Sequence, residues 1–123
     1  MIAFVKRIAE YARARRPGFL VIPQNGERLL QSAQYRAIIS AIAKEDLLFG
    51  LDDDGKPNRQ GEIDESLGDL ERARRDQIPV LVVEYLDDRA KMAKCRERYG
   101  ALGFAAYFAP RDLNELRAET RLA

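Results

Sequence analysis

The residues of this chain that are best suited to chemistry stand at the ends of its apolar segments. Glu84 directly follows the apolar run of residues 79–83. Because an unpaired carboxylate is costly to bury, we expect Glu84 at the carboxyl end of a buried parallel strand. Parallel α/β proteins collect their catalytic groups at that edge of the sheet. Glu84 is therefore the first candidate for a functional side chain.

Polar and aromatic side chains follow the other predicted strands. The apolar runs predict four strands, at residues 19–22, 47–50, 80–84 and 104–108. Their carboxyl ends would gather two amides, a second acid and two aromatic residues around Glu84: Gln24, Asn25, Asp52, Tyr85 and Tyr107. Amides both donate and accept hydrogen bonds and aromatic rings stack on sugars, so this edge suits a polyhydroxylated ligand. The plainer interpretation makes residues 24–26 an ordinary turn and both tyrosines core residues.

A partner carboxylate for Glu84 is not evident from the sequence. Glu45 and Asp46 precede the predicted strand 47–50, so they are expected at the opposite edge of the sheet. Asp52 and Glu62 fall on the correct side, but within the polar segment between the second strand and the next helix. This segment, from residue 51 to about residue 63, is long for a loop between a strand and a helix, and such long loops are usually functional or mobile. None of these four acids is therefore an evident partner for Glu84.

Composition removes several classes of site. The chain has no histidine, which excludes Ser–His and Cys–His catalysis and histidine metal ligands, and its one cysteine, Cys95, cannot form an internal disulfide. Residues 52–55 resemble the start of a calcium loop but lack its acid spacing, and no Gly-rich phosphate loop occurs. Lys and Arg number 21 against 20 Asp and Glu, a balance that disfavours a nucleic-acid partner. We expect no metal and no cofactor.

The chain shows no targeting signal. No apolar run reaches the length of a membrane span, and residues 1–7 are too short and wrongly flanked for a signal peptide. As the sequence stands, it predicts a cytoplasmic protein with no membrane partner. A signal on a longer parent protein would change this expectation to a secreted or periplasmic one.

Helical and strand patterns alternate along all 123 residues and predict a single α/β domain. The order, helix first and then four strand–helix units, implies parallel strands with right-handed crossovers. Four such strands suit half of an eight-stranded barrel or a small open doubly wound sheet. The opening helix, which no strand precedes, favours the half-barrel. A doubly wound sheet would switch its strand order, whereas a barrel would keep it sequential.

Four segments together resemble one enzyme family. They are residues 19–26 (FLVIPQNG), 42–50 (IAKEDLLFG), 78–85 (IPVLVVEY) and 103–113 (GFAAYFAPRDL). In this order they are similar to the endo-α-1,4-polygalactosaminidase-like glycoside hydrolases, once loosely labelled as cysteinyl-tRNA synthetase-related. The resemblance covers nearly the whole chain.

The resemblance implies a (β/α)8 TIM barrel, of which residues 1–123 would be the C-terminal half. It implies hydrolysis of a galactosamine-containing polysaccharide, with Glu84 as general acid or acid/base, Tyr85 beside it and Gln24 and Asn25 lining the sugar site. The family's catalytic aspartate is expected on the other half. A non-catalytic carbohydrate-binding or scaffold half-barrel is the alternative. Open sheet edges predict either a homodimer or pairing with the missing N-terminal half.

Overall fold

The computed structural model describes residues 1–117. In chain order the elements are α1 (Ile2–Arg15), a 3-10 helix (Glu27–Gln31), α2 (Ala33–Ile38), β1 (Ile42–Glu45), α3 (Gln60–Arg75), β2 (Val80–Glu84), α4 (Arg89–Leu102) and β3 (Ala105–Phe108). None of the helices in this part of the chain combines the length and the apolar character that a membrane span requires.

The three strands form a parallel sheet in the order β1-β2-β3. Residues 21–25 extend this sheet beyond β1. The Ala43 N–H donates to the Pro23 carbonyl at 2.8 Å, the Asn25 N–H donates to the Ala43 carbonyl at 2.7 Å, and Gln24 bridges Ala43 in parallel. The order is sequential without a switch, as in a segment of a TIM-like barrel and unlike a doubly wound sheet.

The second predicted strand was placed wrongly. The strand is β1, Ile42–Glu45, rather than residues 47–50, because Ile42 is fully buried and pairs with Val80. Asp46 then takes a left-handed backbone with φ 52°, which ends the strand. The predicted strand 19–22 is also corrected, since the ladder pairing of this segment with β1 is a single isolated bridge, between Gln24 and Ala43. The described chain therefore has three strands rather than four.

The core lies between the sheet and its helices. Along β2, Val80, Val82 and Glu84 are buried, whereas Leu81 and Val83 on the other face are half-buried. The helix-facing core is large and includes Leu30, Tyr35, Ile42, Leu70, Tyr99 and Phe108. Burying an apolar side chain of this size contributes about 1.5–3 kcal/mol. Residues that alternate along each strand thus meet two different environments.

Local capping fixes both ends of α4. Asp88 caps its start, because its carboxylate accepts the Lys91 N–H, and the left-handed Gly103 follows its last residue, Leu102. Helix α3 begins at Gln60 without a side-chain cap. Residues 112–117 form a turn and irregular chain where a last helix was predicted to begin. The rest of that predicted helix lies outside the described residues.

Candidate functional site

The carboxylate of Glu45 is the centre of a polar cluster at the carboxyl edge of the sheet. It is the last residue of β1 and is half-buried. Its Oε2 accepts the Tyr85 hydroxyl at 2.7 Å, and its Oε1 accepts the Asn25 amide Nδ2 at 3.1 Å. Both ligands of the carboxylate are neutral donors. The cluster therefore holds a negative charge in a fixed position at an open edge.

Local backbone geometry explains how these three residues meet. Asn25 has φ 60°, a left-handed conformation that asparagine tolerates better than most residues, and it is followed by Gly26 at φ 66°. In this turn the Asn25 Oδ1 accepts the Glu45 N–H at 3.1 Å, so one amide binds both the backbone and the side chain of Glu45. Tyr85 directly follows β2, the strand that pairs with β1.

Hydrogen bonding sets the protonation states in the cluster. The hydroxyl of Tyr85, followed by the amides of Asn25 and Gln24, lowers the pKa of Glu45 below its ordinary value, although partial burial opposes the change. Burial and the neighbouring Glu45 carboxylate raise the pKa of Tyr85 to about 12. At neutral pH the site thus contains an ionised carboxylate and a protonated phenol.

Arg111 forms a bridge over this cluster. Its guanidinium lies 4.1 Å from the centre of the Tyr85 ring and binds both oxygens of Asp46, at 2.9 and 3.1 Å. It also binds Asp54, which ties the 51–57 loop to the edge of the sheet. Gly50, at φ 99°, is required beneath it, because a Cβ there would lie 2.5 Å from an Asp46 oxygen.

Glu84 lies on the opposite face of the sheet from this cluster. Its side chain is fully buried, and its Oε1 accepts both the Leu48 N–H, at 2.8 Å, and the Tyr99 hydroxyl. Its Oε2 is buried and has no hydrogen-bond partner within residues 1–117. Burial raises the pKa of Glu84, against the effect of these hydrogen bonds. Its contacts are structural, and the catalytic role predicted from sequence stays a prediction.

The other predicted site residues are dispersed. Gln24 is exposed beside Glu45 and contributes to its low pKa. Tyr107 pairs in register with Val83, and its hydroxyl accepts the Arg117 N–H at 3.2 Å. Asp52 is exposed in the loop and pairs with Lys56 at 3.3 Å. The structure therefore brings together Gln24, Asn25 and Tyr85, but around Glu45 rather than Glu84.

Sequence reasoning missed Glu45 because β1 was placed five residues too late. The missed signal is the short apolar run of residues 41–43, which Lys44 and Glu45 follow. No metal site accompanies the cluster: residues 1–117 contain no group of three or more His, Cys, Asp or Glu side chains that could hold an ion.

The sequence is similar to uncharacterized proteins of distant organisms. It is 32% identical over 117 residues to a Deinococcus radiodurans protein and 32% identical over 129 residues to a Methanocaldococcus jannaschii protein, each match covering 94% of this chain. A Thermotoga maritima protein is 39% identical over 90 residues, or 72% of the chain. The chain spans only 37%, 36% and 27% of these relatives. No protein-family profile matches the sequence.

One solved structure has a closely similar fold. It is the glycoside hydrolase domain of PelA from Pseudomonas aeruginosa, with a TM-score of 0.69 over 94% of this chain and 45% of that chain. Sequence identity is 18%, so the likeness concerns the fold. Together with the sequential parallel sheet, it shows that this chain has a fold similar to part of that domain, consistent with the partial TIM-like barrel expected from the sequence.

Proposed function

We propose that this chain carries one of the two carboxylates of a glycoside hydrolase-like site, and that this carboxylate is Glu45. The observation that supports the proposal is the placement of Glu45 at the carboxyl end of β1, where Tyr85 and Asn25 hold its two oxygens. In barrels of this type that edge carries the chemistry. The similar fold of a glycoside hydrolase domain is consistent with the same edge acting on sugars.

Glycoside hydrolysis generally uses two carboxyl groups on either side of the scissile bond. The low pKa of Glu45 keeps it ionised, the state that a nucleophile or a general base requires. A second carboxylate placed close to it would raise that pKa by charge repulsion and would favour the general-acid role instead. Asp46 and Asp54 already bind Arg111, so the second carboxylate is expected from a further barrel segment.

The proposed substrate class is a polysaccharide that contains galactosamine, as the family resemblance implies. Three neighbouring groups suit such a ligand: the exposed amide of Gln24, the amide of Asn25 and the ring of Tyr85. The ionised Glu45 would also attract a protonated amino sugar.

Binding and turnover of a galactosamine oligosaccharide test this proposal. We expect calorimetry to detect binding to the chain, and Glu45→Gln or Tyr85→Phe to weaken it about tenfold, since each removes a charge or a hydrogen bond at the site. Glu84→Gln is the matched control and should leave the affinity unchanged. Any hydrolysis should disappear with Glu45→Gln. Unchanged affinity in Glu45→Gln, with loss in Glu84→Gln, would restore Glu84 as the site carboxylate.

A non-catalytic carbohydrate-binding or scaffold module is the second candidate. This candidate is favoured because Arg111 pairs with both Asp46 and Asp54. Glu45 is then the carboxylate that remains at this edge, and its hydrogen-bond donors, Tyr85 and Asn25, are neutral. This candidate predicts saccharide binding that depends on Asn25 and Tyr85, with no hydrolysis even when a completing barrel segment is supplied. Hydrolysis by the completed assembly would exclude it.

A further inference from the structure

Exposed hydrophobic side chains are concentrated at one edge of the molecule. Ten large hydrophobic residues are exposed in the described part of the chain, and seven of them lie within residues 1–22. We call these seven the first-edge patch: Met1, Phe4, Ile8, Tyr11, Phe19, Leu20 and Ile22. Monomeric proteins rarely expose contiguous apolar surface unless it binds a partner.

The patch has a helix part and a strand part. Phe4, Ile8 and Tyr11 follow one another at spacings of four and three residues, so they share one face of α1. Together with Phe19 they line an open groove of about 400 Å³. Leu20 is 67% exposed and Ile22 is 44% exposed on the segment that runs beside β1. Phe19 thus joins the groove on α1, and Leu20 and Ile22 add exposed apolar side chains on the adjoining segment.

The backbone at this edge is also open. The backbone groups of Val21, Pro23 and Asn25 bond towards the β1 side, to Ser40 and Ala43. Because alternate residues of an extended chain direct their N–H and C=O groups to opposite sides, Ile22 and Gln24 present theirs to the other side. Neither of these two N–H groups donates a hydrogen bond within residues 1–117. The edge can therefore accept another parallel strand.

Charge indicates which kind of partner fits. Helix α1 and the residue after it carry five basic side chains against one acid, Glu10. Helix α4 carries five basic side chains against one acid, Glu97. If two copies closed a barrel, residues 20–24 of each copy would lie beside β3 of the other. Because α4 directly precedes β3, α1 of one copy would then lie next to α4 of the other, and both helices are basic. Like charges disfavour that arrangement, and an acidic partner helix is favoured.

We propose that the first-edge patch docks a strand–helix segment, which adds a parallel strand to residues 20–24 and covers α1 with a helix that has an apolar face and an acidic rim. The longer similar proteins have room for such a segment, because this chain spans 45% of the PelA domain and 37% of the Deinococcus radiodurans relative. The proposal rests on the fold and on this surface. It does not depend on Glu45 being catalytic.

Co-expression tests the proposal directly. The probe is the part of the Deinococcus radiodurans relative that lies outside the matched region. It is co-purified with this chain, and size-exclusion chromatography with light scattering gives the molar mass of the sample. We expect a one-to-one complex, and slowed hydrogen exchange at residues 20–24 within it. Ile8→Glu and Leu20→Glu should each weaken the complex at least tenfold. Leu51→Glu is the matched control, because Leu51 is about as exposed as Ile8 but lies in the 51–57 loop, and it should have no effect.

Three results would overturn the proposal. The first is a chain that stays alone in the presence of the probe, and the second is a complex that survives both Ile8→Glu and Leu20→Glu. The third is a stable homodimer that these two substitutions dissociate, since it would make a second copy the occupant. Circular dichroism of each variant confirms that it is folded. None of these results bears on saccharide binding, so the proposed function is tested separately.

Discussion

Glu45 and Glu84 end neighbouring strands of the same sheet, yet their surroundings are opposite. Glu45 is half-buried, lies at the open edge and binds two neutral donors, which together lower its pKa. Glu84 is fully buried against the helices, and its pKa is raised. Position at a strand end is shared by both residues. The face of the sheet is what separates a carboxylate available to a ligand from one that holds the fold.

The two carboxylates nevertheless act on the same short segment. Glu84 and Tyr85 are consecutive, so their side chains leave β2 on opposite faces. Tyr85 binds the Glu45 carboxylate, while Glu84 binds the Leu48 N–H three residues further along the chain. The turn after β1 is thus held from both sides by adjacent residues. The buried acid thus helps to hold the segment that carries the candidate site.

The largest expected effect is on stability. Glu84→Ala removes the acceptor of the Leu48 N–H, leaves the Tyr99 hydroxyl without its partner and opens a cavity, which should lower the free energy of unfolding by about 2–4 kcal/mol. Glu45→Ala should cost no more than about 1 kcal/mol, because its site is open to water. Urea denaturation of both variants measures the difference. Equal losses would contradict the contrast between the two residues.

The pH dependence of stability should separate the two acids next. A raised pKa means that folded Glu84 holds its proton more tightly than the unfolded chain does, so its contribution to stability falls as pH rises above about 4.5. A lowered pKa gives Glu45 the opposite effect, with stability lost as pH falls below that value. Urea midpoints should be measured between pH 3 and 8. The decline of the midpoint at high pH should disappear in the Glu84→Gln variant, and the decline at low pH should disappear in the Glu45→Gln variant. The reverse pattern would contradict these assignments.

A smaller effect is expected from the hydroxyl of Tyr85. Tyr85→Phe removes the hydrogen bond that contributes most to the low pKa of Glu45, so that pKa should rise towards its ordinary value. Stability should change by only about 1 kcal/mol. An NMR titration of Glu45 in the variant measures the shift. Tyr107→Phe is the control, since the Tyr107 hydroxyl binds Arg117 rather than Glu45.

The smallest effect concerns the bridge made by Arg111. The Arg111 side chain is 43% exposed and that of Asp54 is 60% exposed, although that of Asp46 is only 13% exposed. Arg111→Ala should therefore cost about 1 kcal/mol at low salt and less at high salt. Hydrogen exchange in the 51–57 loop should become faster, because Asp54 loses its anchor. Lys56→Ala, which removes only an exposed pair with Asp52, should leave that exchange unchanged. Unchanged exchange in Arg111→Ala would mean that the bridge does not hold the loop.

The sequence predicted the parallel α/β character, β2 and the approximate span of β3, because each has a strong local signal. Residues 80–83 are all apolar, and three of the four are β-branched valines. Residues 38–49 carry no such signal. Their apolar residues suit a helix or a strand equally well, and only pairing with β2 places β1 at Ile42–Glu45.

The candidate site could be predicted only in part for the same reason. Asn25 and Tyr85 were identified because turn residues and strand ends are visible in the sequence. An apolar run does not reveal which face its last residue occupies, so the burial of Glu84 against Tyr99 of α4 could not be predicted. Moving the second strand by five residues also moved Glu45 from one edge of the sheet to the other.

The most direct test is to follow the carboxyl carbons of Glu45 and Glu84 by NMR, through a pH titration and then with a galactosamine oligosaccharide. We expect Glu45 to titrate below 4.5 and Glu84 above it. The saccharide should shift the Glu45 signal and leave that of Glu84 in place. A saccharide that shifts Glu84 and not Glu45 would contradict the proposal that Glu45 is the carboxylate of the site.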